Sequence, residues 1–439
     1  MSGPETALVG FAFMIALIAL RVPVGLAMLG VGAAGYAYLA GGMPLLNLVK
    51  TTPYYLFANY TLSVIPLFIL MGAFAERSGM SAALFTAANA LVGHRRGGIA
   101  MATIGACTAF GAICGSSVAT TATMARAALP AFRRYGYSDT LATGAVAVGG
   151  TLGILIPPSV ILVVYAIATE QNIAKLFMAA LIPGLLAAVF YLCAIRWVVL
   201  RRADSGPAAP RVAAREKRAA LAAVWPVALV ALLVVGGIYG GVFTPTEGAA
   251  VGATLTLAIG LLRRSLGWQG VKEALIQTAE TSAMIFLVLL GAEFFNGFLG
   301  LSQLPTVAAE WITGLGLPAF WVLAAFLAFY ILLGAVMDEL AMILLTLPVF
   351  FPIVSALDFG LSGEETGIWF GILVLVVVGI GLTAPPVGLN VFVVSAIARD
   401  VPITRIYRGA LPFLATDLLR LGILVAFPGV SLGLVRLLT

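Results

Sequence analysis

The chain has 439 residues, of which 62% are hydrophobic and only 10% charged, and its mean hydropathy is +1.11. That balance excludes an ordinary soluble domain. It describes an all-α polytopic membrane protein, because apolar runs of about 17 to 25 residues, the length that crosses a bilayer core, recur from residue 8 to residue 435. The net charge of +6 and the pI of 9.3 therefore bear on topology, and no nucleic-acid partner is expected.

Residues 8–20 have no basic region ahead of them and no small-residue cleavage site behind, so they are expected to stay as a span. Arg21-Val22-Pro23 makes a tight corner into a second apolar segment, 24–39. Residues 45–57 are shorter and carry Lys50, Thr51, Thr52, Pro53, Tyr54 and Tyr55, the pattern of a helix lying in the interface. The next span, 62–74, ends at Glu76-Arg77-Ser78-Gly79, and a short segment, 82–91, leads to the basic turn Gly93-His94-Arg95-Arg96-Gly97-Gly98. His94 is the only histidine and reads as a solvated loop residue. Cys107, Cys114 and Cys193 lack paired or metal-ligand spacing and read as small core residues.

The stretch from Gly111 to Tyr165 then sets polar, glycine-rich and proline-broken backbone inside apolar sequence. It holds Gly115-Ser116-Ser117-Val-Ala-Thr120-Thr121, Arg126 and Pro130, and later Gly149-Gly150-Thr151-Leu-Gly153-Ile-Leu-Ile-Pro157-Pro158-Ser159. In hydrocarbon an unpaired N–H or C=O costs several kcal/mol, so irregular backbone survives at membrane depth only where protein buries it or a bound species satisfies it. After Pro158 the apolar helix resumes to Ala168, turns at Thr169-Glu170-Gln171-Asn172, and crosses again over residues 177–200. Residues 201–218 carry Arg201, Arg202, Arg211, Arg215, Lys217 and Arg218 against Asp204 and Glu216, which makes this loop the cytoplasmic anchor and the linker between two halves. Between Glu273 and Ala398 there is no Lys or Arg although nine acidic residues fall there, so those loops face outward or sit within the protein.

The halves echo each other. Leu67-Phe-Ile-Leu-Met-Gly72 resembles Phe286-Leu-Val-Leu-Leu-Gly291, and Gly153-Ile-Leu-Ile-Pro157-Pro158-Ser159 resembles Gly381-Leu-Thr-Ala-Pro385-Pro386-Val387. Gly115 and Gly334 stand equally far beyond Gly72 and Gly291, so Gly334-Ala-Val-Met-Asp338 pairs with Gly115-Ser116-Ser117. Each half thus holds one polar interruption, read as the tip of a re-entrant helical hairpin, and one double-proline interruption. Paired interruptions at corresponding places point to a transporter site at a repeat interface. The expected organisation is N-terminal scaffold helices over 1–60; a first repeat over 61–200, with hairpin 1 near 105–132 and a Pro-Pro broken helix near 138–168; and the basic linker over 201–218. Further scaffold helices follow over 219–272, then a second repeat over 273–439, with hairpin 2 near 320–355 and its Pro-Pro broken helix near 366–398. The duplicated order is legible, whereas inversion of the second half depends on an odd number of crossings that the span limits leave open.

At these residues the chain resembles the large membrane (M) subunit of tripartite ATP-independent periplasmic (TRAP) transporters. The matching stretches are Ile65-Pro-Leu-Phe, Gly115-Ser-Ser-Val-Ala-Thr, Gly136-Tyr137, Gly150-Thr-Leu-Gly-Ile-Leu-Ile-Pro-Pro-Ser159, Pro183-Gly184 and Ala384-Pro-Pro-Val-Gly388-Leu-Asn390. The resemblance implies the elevator-type ion transporter superfamily fold, sited as a multi-pass protein in the bacterial inner membrane. It also implies a small four-helix membrane subunit of Q type, a periplasmic substrate-binding protein of P type, and sodium-driven uptake of a small organic acid. The family's second proline motif often reads Thr-Pro-Pro after an acidic residue several positions earlier; here those positions hold Ala384 and Gly379, with Thr383 one residue away.

On that resemblance, Ser116, Ser117, Gly150, Gly153 and Pro157 are expected to build one sodium cage from hydroxyls and freed carbonyls, and Gly334, Asp338, Gly381, Thr383 and Pro385 its partner. Gly115, Thr120, Ser159 and Asn390 are expected near the substrate, since helix N-termini present N–H donors to a carboxylate. Arg126 is either the substrate's counter-charge or an interfacial arginine beside Arg133 and Arg134. Glu339 reads as a hairpin-surface residue, Glu293 and Asn296 as loop or scaffold residues near a helix break, and Asp417 with Arg420 as a structural ion pair. The alternative within the superfamily is a single-component sodium-coupled carboxylate symporter. An intramembrane enzyme is disfavoured by the absence of a His-Glu-x-x-His motif or a base near Gly115-Ser116-Ser117.

Overall fold

A computed structural model describes residues 2–438, and every regular element among them is helical. The helices before the basic linker are α1 (Gly3–Ala19), α2 (Val24–Ala40), α3 (Gly42–Phe57), α4 (Val64–Arg77), α5 (Met80–Val92), α6 (Gly98–Cys114), α7 (Ser117–Arg134), α8 (Asp139–Gly149), α9 (Leu152–Leu155), α10 (Val160–Ala168) and α11 (Ile173–Arg201). After it come α12 (Ala214–Ala222), α13 (Trp225–Tyr239), α14 (Pro245–Leu262), α15 (Trp268–Ser302), α16 (Leu304–Gly314), α17 (Ala319–Gly334), α18 (Glu339–Ala356), α19 (Gly363–Gly381), α20 (Leu389–Ile397), α21 (Ile403–Ala426) and α22 (Gly429–Leu438). Eight of the described helices are long and apolar enough to cross a bilayer, or nine if the α8–α9 run and α10, bent by 46°, count as one span.

Helix ends are written in local chemistry. Ser2 with Glu5, Thr244 with Glu247 and Ser362 with Glu365 form capping boxes that satisfy the first N–H groups of α1, α14 and α19. At the two interruptions the chain stops one helix and caps the next. Gly115 takes the left-handed conformation (φ 63°) after α6, and Ser116 then caps α7 through the N–H of Ala119; Asp338 does the same for α18.

Hydrogen bonds between turns define two faces. On one, Gly97 donates to Gly206 O (2.8 Å), Ala209 to Gly93 O (3.0 Å) and Ser138 to Ser205 O (3.1 Å), so the basic linker is stitched to the α5–α6 and α7–α8 turns. Arg405 pairs with Asp139 (3.2 Å) and Arg133 with Asp400, which brings the start of α21 to the same basic face. On the opposite face Lys175 and Arg436 pair with Glu364 and Glu365 at the start of α19, each at 2.7 Å. The α6–α7 hairpin is rooted at the basic face. The α17–α18 hairpin is rooted at the other, where Phe320 meets Phe359 and Phe359 meets Trp369 of α19. The second half is therefore inverted relative to the first.

The halves interlock through helices that touch backbone to backbone. A methyl at Gly144 of α8 would lie 2.3 Å from the carbonyl carbon of Gly409 on α21, so no larger residue fits that crossing. About two helical turns farther along α21 lies a buried polar chain. Tyr191 donates to Asp417 (2.8 Å), stands 3.1 Å from Thr151 Oγ1, and Asp417 pairs with Arg420 at 2.9 Å, both 1% exposed.

Candidate functional site

The tip of the first hairpin lies against the first broken helix because glycines let two backbones meet. A Cβ at Gly115 would sit 3.0 Å from Pro158 O; one at Gly153 would sit 2.6 Å from Ser116 O and 2.4 Å from Thr120 Oγ1; one at Gly150 would fall 1.7 Å from Thr121 Oγ1. Ser116, Ser117, Gly150 and Gly153 thus share one contact, flanked by Pro158, and the Pro157-Pro158 bond is cis.

The second hairpin meets the second break in a related way. Val387 and Gly388 donate to Ala335 O (3.1 and 3.3 Å), and a Cβ at Gly381 would lie 2.6 Å from the carbonyl carbon of Gly334. Pro385-Pro386 is also cis. The two centres are joined: Asn390, fully buried on α20, donates to Ser117 Oγ (2.8 Å) and to Ala147 O (3.1 Å). Gly379 lies beside Thr151, 3.6 Å from its Cβ to the position a Cβ would take.

The hydroxyls divide into two groups. Thr120 donates to Ser116 O (2.7 Å), Thr383 to Ile380 O (3.1 Å) and Gly379 O (3.4 Å), and Ser116 caps its helix, so these satisfy their own backbone. Thr121 Oγ1 and Ser159 Oγ are fully buried and have no partner in the protein. Ser159 occupies the N-cap position of α10 without capping it. An orphaned buried hydroxyl costs about 1–3 kcal/mol. A species that supplies the missing partner removes that cost, and hydroxyl oxygens are ligands that suit a small hard cation. Sequence reasoning passed over Thr121; its signal was the position one helical turn beyond Ser117, on the side that faces Gly150.

Several expectations change. Asp338 is exposed and accepts N–H bonds from Leu340 (3.1 Å) and Ala341 (3.4 Å), whereas Glu339, expected on the surface, is 8% exposed with Oε2 unpartnered. Capping turns the Asp338 side chain back over the first turn and leaves the next position pointing into the bundle. Glu293 is exposed within α15, which runs unbroken through the Gly291–Gly297 stretch, so there is no helix break there. Cys193 is exposed on the outer side of α11 rather than buried. Arg126 is 66% exposed at its side chain and pairs with Glu76 at 3.5 Å. It lies nine residues along α7 from Ser117, roughly 14 Å at 1.5 Å per residue, and stands apart from the junction of tip and break.

Residues 11–430 match the family model described as the tripartite ATP-independent periplasmic transporter, DctM component. The chain is 40% identical over 378 residues, 86% of each chain, to the C4-dicarboxylate TRAP transporter large permease protein of Pseudomonas aeruginosa. It is 32% identical over 98% of its own length, and 66% of the relative's, to the isethionate TRAP transporter permease of Oleidesulfovibrio alaskensis. The solved structure of the Alcanivorax borkumensis YdaH transporter, described as having an unusual topology, superposes with a TM-score of 0.66 over 97% of this chain and 98% of that one. At 16% identity that likeness shows a common fold. With hairpins, breaks and family match in agreement, the chain belongs to the DctM family of large membrane permeases of tripartite ATP-independent periplasmic transporters.

Proposed function

We propose that this permease imports a small organic anion in exchange for the energy of a sodium gradient, working with a Q-type small membrane subunit and a periplasmic P-type binding protein in a bacterial inner membrane. The observation that carries the reading is the pair of orphaned hydroxyls, Thr121 and Ser159, where the first hairpin tip meets the first broken helix. A sodium ion there would complete them together with carbonyls of the α8–α10 break and with Ser117; the repeat-related junction, where Gly334 meets Gly381, would be the place of a second ion. The two relatives named above are described as handling a dicarboxylate and a sulfonate, which supports an anionic cargo of that size.

Movement follows from the inversion. α1, α2, α4 and α13–α15 pack among themselves as an outer frame, while the two hairpins, the broken helices and α21 form an inner block locked by Asn390 and by the Gly144–Gly409 crossing. Hairpins rooted at opposite faces allow that block to open toward either side in turn, an elevator step in which ion and anion travel enclosed. Reconstitution with small subunit and binding protein tests this. Uptake should saturate with substrate and stop when sodium is replaced by potassium, whereas sodium-independent uptake would reject the coupling.

A further inference from the structure

We propose that the basic face carries a built site for an anionic phospholipid, in the groove between the end of α11 and the starts of α8 and α21. The groove has a volume of about 570 Å³ and is lined at its mouth by Arg201, Arg202, Arg405 and Arg408. Arg405 is paired with Asp139. No described carboxylate lies within ion-pair distance of the other three, and Arg201 rests its guanidinium over the Trp197 ring at 4.7 Å.

One helical turn deeper the same groove becomes apolar, with Trp197, Val198, Leu411 and Pro412; Trp197 is 50% exposed and Leu411 55%. Arginine at headgroup level followed by exposed apolar side chains matches a phosphodiester and the acyl chain below it. A free phosphate would use only the upper part. A neighbouring transmembrane helix would leave three arginines without anions unless it brought several carboxylates to one level. A second groove on the other flank of α11 repeats the pattern, with Arg95, Arg96 and Arg196 beside Leu192 and Leu200. The ends of α8, α11 and α21 meet in the first groove, so an occupying lipid would tie both halves of the inner block to the membrane surface. Nothing in this proposal depends on sodium coupling.

The test uses the full chain purified in detergent, with phosphatidylglycerol, phosphatidylcholine and inorganic phosphate as probes, read by native mass spectrometry and by thermal unfolding. Phosphatidylglycerol should bind saturably and raise the unfolding temperature, while phosphatidylcholine and phosphate should not. Each basic residue near an anionic headgroup contributes about a five-fold gain in affinity, so the R202Q/R408Q variant should bind roughly twenty-five-fold more weakly. R215Q/R218Q, which removes two exposed charges from α12 on the same face, should bind as the parent does. Equal lipid binding by R202Q/R408Q would overturn the assignment. So would a matching shift from phosphate alone, which would mark a free-anion site, or displacement of the lipid by the small membrane subunit, which would mark a protein interface.

Discussion

Thr121 and Ser159 are the residues whose replacement tests the proposed sodium site apart from stability. Neither hydroxyl has a protein partner, so Thr121→Val and Ser159→Ala remove no bond from the folded chain; relieved of an orphaned buried hydroxyl, each variant should express normally and, without sodium, unfold at or above the parent's temperature. A hydrogen bond or ligand contact to a charged group is worth about 1.5–3 kcal/mol, so each change should raise the half-saturating sodium concentration roughly ten-fold or more. Sodium titration of uptake checks it; an unchanged midpoint in both variants would remove these two oxygens from the site. Asp417 behaves in the opposite way. Asp417→Asn leaves Arg420 buried and uncompensated, which costs about 3–5 kcal/mol, and should deplete folded protein in size-exclusion profiles; D417N/R420M should recover much of it. At this scale the sequence carried partial information. Ser159 stood out beside its prolines, though as a substrate contact and not as an ion ligand, and the i, i+3 spacing suggested the Asp417–Arg420 pair, but Thr121 looks like any helical threonine until Gly150 is placed against it. Asp338 and Glu339 exchanged surroundings because a cap, which pattern alone does not locate to one residue, fixes which of two neighbours faces inward.

Among the elements, the decisive contact is the seat of the α6–α7 tip on the broken helix that follows it. A Cβ at Gly153 would come 2.4 Å from Thr120 Oγ1 and 2.6 Å from Ser116 O, closer than atoms approach without displacement. Overpacking of that kind costs about 1–3 kcal/mol, so Gly153→Ala should lower sodium-dependent uptake by roughly ten- to hundred-fold while the protein still inserts and purifies. Uptake rates per folded molecule decide the matter, and a wild-type rate would mean that the tip does not need this seat. Both interruptions were readable from Gly and Pro, residues whose backbone physics is local. The basic linker read only as a charged connection, because the bonds that hold it, Gly97 to Gly206 and Ala209 to Gly93, join segments more than a hundred residues apart through main-chain atoms that composition does not reveal.

For the molecule as a whole, the duplication was visible as matched strings, whereas the inversion rests on which face each hairpin is rooted in. That property counts crossings, and a single misjudged span reverses it; α15, 35 residues long and unbroken past Glu293, is the kind of element that upsets such a count. Inverted hairpins make a mechanical prediction. Asn296 of the frame helix α15 and Leu347 of hairpin helix α18 line one small cavity of about 140 Å³, so a link between them would bridge frame and inner block. In a chain with Cys107, Cys114 and Cys193 replaced by alanine, N296C/L347C should transport normally when reduced. When a short bis-methanethiosulfonate or mercury bridges the pair, uptake should fall to background and return on adding excess dithiothreitol, which exchanges the disulfides or takes up the mercury, while each single-cysteine variant stays active throughout. A bridged pair that continues to transport at the reduced rate would mean that α18 does not move past α15. The hairpins would then gate a stationary site, and the two halves would be inverted for a reason other than carrying their cargo across.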